Sequence, residues 1–268
     1  MDNASPPPRT AGTRISTPVP VGGSKWVFPD LDSPAVAVED RDDLVAVGAD
    51  LEPSTLVTAY RSGIFPWPHG RGPLPWFSPD PRGVLPLEHL RVSKSLRQRL
   101  RCSGWESSID ADFDQVIDRC SERPGREGTW ITKSMKAAYR ELHRLGYVHS
   151  VEVWDGHVLV GGLYGLSLGG VFAGESMFHR ATDASKVALV ELVHRHGEAG
   201  GSLIDVQMVT DHLASLGAIA IRRPLFLSLL RELRDDDVRP IRERLPVERL
   251  AACQVRLDPT IAPSRSAE

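Results

Sequence analysis

The stretch 148–178, VHSVEVWDGHVLVGGLYGLSLGGVFAGESMF, decides the fold. It holds three largely apolar runs, Val148 to Trp154, Val158 to Leu168 and Val171 to Phe178, separated at Asp155-Gly156 and Gly169-Gly170. Dipeptides of this kind supply the positive φ that hairpin turns need, so the spacing predicts three consecutive antiparallel strands. Upstream, Thr132 is placed to cap a helix that runs to Leu145 with Gly146 behind it. Before that come a helix over Ser93 to Arg101 and a strand around Trp105 to Ile109. Downstream follow an amphipathic helix from Asp183 to His196, a strand Ser202 to Gln207, a short helix near Asp211 to Leu216, a strand Ala218 to Arg222 and a last helix from Pro224. The class is α/β (α+β), with helices flanking one sheet.

Farther out, 25–90 is Pro- and Gly-rich and offers one short helix, Pro53 to Ser62, closed by Gly63 where a left-handed cap is favoured. It reads as a small N-terminal domain ahead of a larger one over 91–246. Residues 1–24, with Pro6-Pro7-Pro8, carry too few large apolar side chains to offset ordering entropy and read as a disordered tail. The stretch 247–268 reads as a C-terminal tail.

Of 268 residues, 41% are hydrophobic and 25% charged, which allows a real buried core. Thirty-two Lys and Arg against 35 Asp and Glu leave a formal charge of −3, which argues against a general nucleic-acid coat protein but is silent on local patches. Cys102, Cys120 and Cys253 show no ligand spacing, so neither a disulfide framework nor a structural zinc is indicated. No apolar run approaches the roughly 20 residues of a membrane helix, and no signal peptide is visible. A cytoplasmic protein without membrane contact is expected.

On the strand Leu203-Ile204-Asp205-Val206-Gln207, alternation places the Asp205 carboxylate and the Gln207 amide on one face. A solvated sheet face is the other way to read that pair. Glu175 and Met177 share a face of the strand around Gly174, and six glycines, Gly161, Gly162, Gly165, Gly169, Gly170 and Gly174, crowd two adjacent strands. Glycine weakens a strand unless something must come close. Ser176 lies in no nucleophile elbow, and Asp211-His212 reads as a helix cap followed by an ordinary helix residue. Lys94, Arg97 and Arg101 share a helical face within an acid-free basic run that also holds Arg91 and Arg99. Either phosphate contact or a solvated helix face accounts for it. Tyr60, Phe65, Trp67, Trp76, Phe77, Trp130 and Tyr139 are flat surfaces suited to stacking bases or to packing a core.

Gly63-Ile64-Phe65-Pro66-Trp67, Trp76-Phe77-Ser78-Pro79-Asp80-Pro81-Arg82, Gly128-Thr129-Trp130-Ile131-Thr132, Gly174-Glu175-Ser176-Met177-Phe178, Leu203-Ile204-Asp205-Val206-Gln207 and Asp211-His212-Leu213-Ala214-Ser215-Leu216-Gly217-Ala218 resemble, in order and spacing, the bacterial leucyl/phenylalanyl-tRNA–protein transferases. Six blocks over Trp26 to Leu233 are far more specific than any one. The resemblance implies an aminoacyltransferase that moves Leu, Phe or Met from aminoacyl-tRNA to a protein with N-terminal Arg or Lys, creating an N-degron; a monomer is expected, although the sequence itself does not give the oligomeric state. It implies a small N-terminal domain and a C-terminal domain similar to the GNAT acetyltransferases, with no metal and no cofactor. The family's carboxylate and amide fall on Asp205 and Gln207, and its acid near the acceptor on Glu175. Its apolar pocket falls on Leu163, Met177, Leu189 and Leu192, and its contacts to the tRNA 3′ adenosine on Tyr60, Trp67, Trp130 and Tyr139. This chain has Trp76-Phe77 where Trp-Trp is commoner, and Leu163 where a Met can occur. Two rivals fit less well. An acyl-CoA N-acetyltransferase would need a phosphate-cradling Arg/Gln-x-x-Gly-x-Gly/Ala turn, which is not found. A noncatalytic adaptor would leave the Asp205/Gln207 pair and the glycines unexplained.

Overall fold

Ser93, Asp112, Thr132 and Thr210 each accept, through a side-chain oxygen, the backbone N–H three residues on. Each satisfies a donor that a helix start leaves open, so local chemistry writes these helix ends. The computed structural model of the protein describes residues 12–31, 43–68, 72–122 and 129–252. The motif residue Gly128, Cys253 and residues 1–11 and 253–268 of the two expected tails lie outside them.

The chain begins its regular structure with β1 (Leu44–Val47), α1 (Pro53–Arg61), β2 (Phe65–Pro66) and β3 (Pro75–Phe77). The three strands form a small sheet in the order β1-β3-β2. Next come β4 (Arg82–Pro86), α2 (Lys94–Cys102), β5 (Glu106–Ile109), α3 (Phe113–Ser121) and α4 (Lys133–Arg144). The meander follows as β6 (Val148–Asp155), β7 (Val158–Leu168) and β8 (Val171–His179), then α5 (Ala184–Glu198) and β9 (Leu203–Gln207). The chain closes with α6 (Asp211–Ser215), β10 (Ile219–Ile221), α7 (Arg223–Leu233), β11 (Leu245–Pro246) and a 3-10 turn over Val247–Ala252.

The second sheet has eight strands in the order β10-β4-β9-β8-β7-β6-β5-β11. Its centre is the antiparallel meander expected from the turn dipeptides, with Val151 opposite Leu163 and Leu163 opposite Met177. The mixed α/β class is therefore as the sequence indicates. Alternation sends Leu163 into one apolar layer, with α2, α5 and the 3-10 turn, and Tyr164 into the other, with α1, α3, α4 and α7. No helix among the described residues is long and apolar enough to cross a membrane.

Four expectations change. First, β4 falls inside 25–90 yet pairs with β9 and β10 of the large sheet, so a boundary at 90 cuts that sheet. Its Pro- and Gly-rich setting hid a fully buried strand. Second, residues 12–24 are not a loose tail: Ile15 is 5% exposed, and the Ile15 and Val19 N–H groups bond the Pro240 and Leu145 carbonyls. Third, 247–252 is not a tail either, because Val247, Leu250 and Ala251 are buried against α2 and α5. Fourth, α5 is less amphipathic than expected and is buried almost all round, since it lies between β6–β8 on one side and α2 with the 3-10 turn on the other. The helix α3 went unassigned although Phe113, Val116, Ile117 and Cys120 carry its buried stripe.

The glycines of the meander mostly serve the protein's own packing. A Cβ at Gly161 would sit 2.5 Å from the Ala184 Cβ, where α5 begins, so close approach of that helix requires glycine. At Gly174 the nearest such atom is the Asp205 carbonyl oxygen at 3.7 Å, and of the six it is this glycine that lines the cavity of about 870 Å³ at the end of the strand.

Candidate active site

The parallel strands β8 and β9 pair at Val171 with Leu203, Phe172 with Ile204 and Ala173 with Asp205, and no farther. Beyond Ala173 and Asp205 the two strands part, and a cavity of about 870 Å³ lies at the opening. Gly174, Glu175, Ser176 and Met177 line one edge, and Val206, Gln207 and Met208 the other. A sheet that splits in this way exposes backbone and side chains of both strands to one ligand.

The four residues expected to form the apolar pocket, Leu163, Met177, Leu189 and Leu192, all line this cavity, joined by Ile204, Val206 and Leu213. Phe65, Pro66, Trp67 and Phe77 bring the small sheet to its wall, and Trp130 comes from the loop before α4. Trp67 meets Phe77 edge to face with centroids 5.7 Å apart.

Glu175 is the polar centre. Its Oε1 accepts from Tyr60 Oη at 2.6 Å and from Gln207 Nε2 at 2.9 Å, and its Oε2 from Tyr139 Oη at 3.1 Å. The two tyrosine hydroxyls are themselves 2.5 Å apart. Burial pushes the Glu175 carboxyl up to about 7, the hydrogen bonds from Tyr60, Tyr139 and Gln207 pull it down, and the nearby Asp205 adds to the rise. Burial, with Glu175 close by, raises the hydroxyls of Tyr60, Tyr139 and Tyr164 well above the ordinary phenol value, so they stay protonated.

Three site expectations need correcting. Asp205 is 3% exposed and does not line the cavity. Arg82 Nε and Nη2 hold its two oxygens at 2.8 and 2.7 Å, and the Gln207 N–H adds 2.9 Å to Oδ1. Buried behind the lining and paired with Arg82, this carboxylate is not presented to the cavity. Gln207 does reach the cavity, because its backbone turns to a φ of 64° at the end of β9 and breaks the expected shared face. Tyr60 and Tyr139 are 2% and 0% exposed, so their rings do not stack a base; their hydroxyls hold Glu175 instead. On α2, Lys94 and Arg101 are exposed, but Arg97 donates to the Ala251 carbonyl at 2.8 Å and anchors the 3-10 turn.

Two residues of the cavity region, although inside the family-like blocks, were given no site role by the sequence. His212 lines the cavity rather than being an ordinary helix residue. Burial holds its imidazole below the usual value, and Lys186 and His179 act the same way. Arg82 follows Asp80-Pro81, a context that suggests a surface turn. Among the described residues, Asp110, His143 and His149 form a group whose atoms could hold a metal, apart from the cavity. These groups already have partners: His149 Nδ1 lies 2.8 Å from Asp110 Oδ2, and His143 Nδ1 lies 2.8 Å from the Val148 carbonyl.

A family model described as leucyl/phenylalanyl-tRNA protein transferase matches residues 84–231, and a model of its N-terminal domain matches 49–80. The chain belongs to this transferase family. A leucyl/phenylalanyl-tRNA–protein transferase from Shewanella sp. (strain W3-18-1) is 49% identical over 214 residues, which cover 80% of this chain and 91% of that protein. One of the same name from Shewanella oneidensis is 46% identical, with 80% and 91% covered. The solved structure of L-PGS from Bacillus licheniformis aligns with a TM-score of 0.40 and 10% identity over 68% of this chain and 70% of that one. The transferase models leave a gap between 80 and 84, where β4 starts at Arg82, which agrees with the sheet and not with a boundary at 90.

Proposed function

We propose that this chain is a cytoplasmic, monomeric aminoacyltransferase that moves Leu, Phe or Met from aminoacyl-tRNA to the N-terminal Arg or Lys of an acceptor protein, creating an N-degron. The observation that carries this reading is the Glu175 cradle opening onto an apolar cavity flanked by Trp67 and Trp130. The reaction is aminolysis: the α-amine nitrogen bonds to the aminoacyl carbonyl carbon, the ester C–O bond breaks, and the ribose oxygen of the terminal adenosine leaves. The amine must lose a proton and the leaving oxygen must gain one.

A free α-amine titrates at about 7.7–8.0, so a carboxylate tuned near neutral is matched to receive its proton. Glu175, pushed up to about 7 and lining the cavity, fits that task better than Asp205, which lies behind the wall and is paired with the Arg82 guanidinium. Gln207 donates its Nε2–H to Glu175, which leaves its amide oxygen to orient the amine. The negative Glu175 also attracts the cationic side chain of an N-terminal Arg or Lys. Trp67 and Trp130 offer stacking faces for the adenosine.

Burying a leucine-sized side chain contributes roughly 1.5–3 kcal/mol, and Leu163, Met177, Leu189 and Leu192 supply the walls. Flexible Met177 accommodates both Leu and Phe. Phosphate contacts by Lys94 and Arg101, beside the anchoring Arg97, would hold the tRNA body without regard to sequence.

The test incubates the purified protein with labelled Leu-tRNA and an Arg-initiated peptide, with and without ribonuclease, beside a parallel with acetyl-CoA. Label transfer that ribonuclease abolishes is expected; transfer from acetyl-CoA, or none from Leu-tRNA, would overturn the reading. With deprotonated Glu175 as the competent form, kcat/KM for the peptide at saturating Leu-tRNA rises with pH through about 7. Glu175→Gln should lower turnover roughly 10²–10⁴-fold and erase that limb, leaving the acceptor's own near 8.

A further inference from the structure

Arg82 is 1% exposed, does not line the cavity, and still contacts both of its walls through other residues. Besides the paired bonds to Asp205, its Nη1 donates to the Gly63 carbonyl at 3.0 Å. Its guanidinium carbon lies 4.9 Å from the Phe65 ring centroid and 4.5 Å from that of Phe226. Gly63 begins the segment that carries Phe65, Pro66 and Trp67 to the cavity. Asp205 in turn accepts the Gln207 N–H, and Gln207 reaches Glu175. A non-glycine residue at a φ of 64° persists only where its surroundings over-determine it, and for Gln207 the Asp205 carboxylate is one such constraint.

We propose that Arg82 is a positioning residue for the transfer: gripping Asp205 twice and Gly63 once, it sets the separation between the aromatic wall and the Gln207–Glu175 edge. A buried Arg–Asp pair adds little net stability over an apolar pair of similar volume, so stability alone is a weak reason for one here. Orientation is what the guanidinium supplies, since its rigid fork matches a carboxylate and a lysine ammonium does not. The inference rests on the reading of Glu175 and Gln207 given above.

The test variant is Arg82→Lys, which keeps a cation of similar length but cannot make the three bonds together. Misplacement on the scale of an ångström costs roughly 10–100-fold in kcat, with the aminoacyl-tRNA KM little changed. A second readout is the pH limb of kcat/KM. The groups facing Glu175 are Tyr60 from α1, Tyr139 from α4, Tyr164 from β7, and Asp205 and Gln207 from β9; Asp205 is the carboxylate among them. With Asp205 less well neutralised, the limb should move to higher pH in Arg82→Lys, and to lower pH in Asp205→Asn. The double variant should lose no more kcat than the worse single one, because the pair acts as a unit.

Wild-type kcat and pH limb in Arg82→Lys would overturn the proposal, as would losses that add in the double variant and track the folded fraction by circular dichroism. If Arg82→Lys does not fold, Asp205→Asn decides: an unmoved limb with wild-type kcat overturns the proposal. Lack of transfer by the wild-type protein in the same assay counts against the site reading, whereas wild-type transfer matched by intact Arg82→Lys counts against this inference alone.

Discussion

Two carboxyls, Glu152 on β6 and Glu175 on β8, are both pushed up to about 7 by burial, yet only Glu175 faces a cavity. Glu152 is fully enclosed, accepting from Ser108 Oγ at 2.7 Å and Ser150 Oγ at 2.5 Å. Its folded value lies above the ordinary 4.5, so the native state holds the proton more tightly than the unfolded chain. Its contribution to stability is therefore full below pH 4.5 and is lost as pH rises through about 7. At pH 8 the enclosed charge costs about 3 kcal/mol, since each tenfold change in proton affinity between the unfolded and folded states is worth about 1.4 kcal/mol. Glu152→Gln carries no such charge. It should melt higher than the wild type at pH 8, with the gap closing toward pH 4.5; a gap independent of pH would contradict the assignment. At this scale the sequence is a partial guide. Glu175 stood out because Gly174 and the strand pattern gave it a context, and the structure places it in the cavity. Tyr60 and Tyr139 stood out as flat rings, but whether a tyrosine presents its face or its hydroxyl depends on what covers the ring, which local sequence does not carry. Arg82 closes one of the family-like blocks, but its role stayed hidden because its partner Asp205 is 123 residues away.

Elements whose ends are set by local chemistry were legible: the caps of α2 and α4 at Ser93 and Thr132, and the hairpins at Asp155-Gly156 and Gly169-Gly170. Elements defined by partners were less so. β4 is identified by β9 and β10 on either side of it, and its own Arg-Gly-Val-Leu-Pro resembles a turn. The parting of β8 and β9 after Ala173 and Asp205, on which the cavity depends, is likewise a relation between strands and leaves no mark in either. Where the sequence showed only excess glycine, the structure gives the reason. Gly161 meets Ala184 at the start of α5, the helix that carries Leu189 and Leu192 to the cavity. Any side chain there must displace α5, since the atom in the way belongs to a buried helix start. Overpacking of this kind costs roughly 1–3 kcal/mol. Gly161→Val should lower the urea midpoint accordingly and raise the KM for Leu-tRNA, because the pocket wall moves with the helix. A stable Gly161→Val with unchanged KM would show that α5 is not held by this close approach.

For the whole molecule, the formal charge of −3 repels a polyanion, so any tRNA contact must come from a local concentration of cations rather than from the net field. Exposed Lys94 and Arg101 on α2 offer one; Arg97, which a helical wheel groups with them, is committed to the Ala251 carbonyl and binds the chain's own 3-10 turn. The basic face is therefore part exposed cations and part internal anchor, and experiment separates the proposed phosphate contact of the first from the anchoring role of the second. For every phosphate that a side chain ceases to neutralise, the slope of log K against log salt concentration becomes shallower by roughly 0.7–0.9. Lys94→Glu with Arg101→Glu should flatten the slope for tRNA by about 1.5 while leaving the melting temperature near wild type, since neither side chain is buried. Arg97→Gln should do the reverse: the slope changes by less than about 0.9 while the melting temperature falls, because the Ala251 carbonyl loses its donor beneath a buried turn. Fluorescence titration of labelled tRNA at several salt concentrations, paired with thermal melts, reads both. A double charge reversal with an unchanged slope would make the α2 face an ordinary solvated surface and move the phosphate track elsewhere on the protein. Turnover at saturating tRNA should be unchanged in the double reversal, because neither Lys94 nor Arg101 lines the cavity.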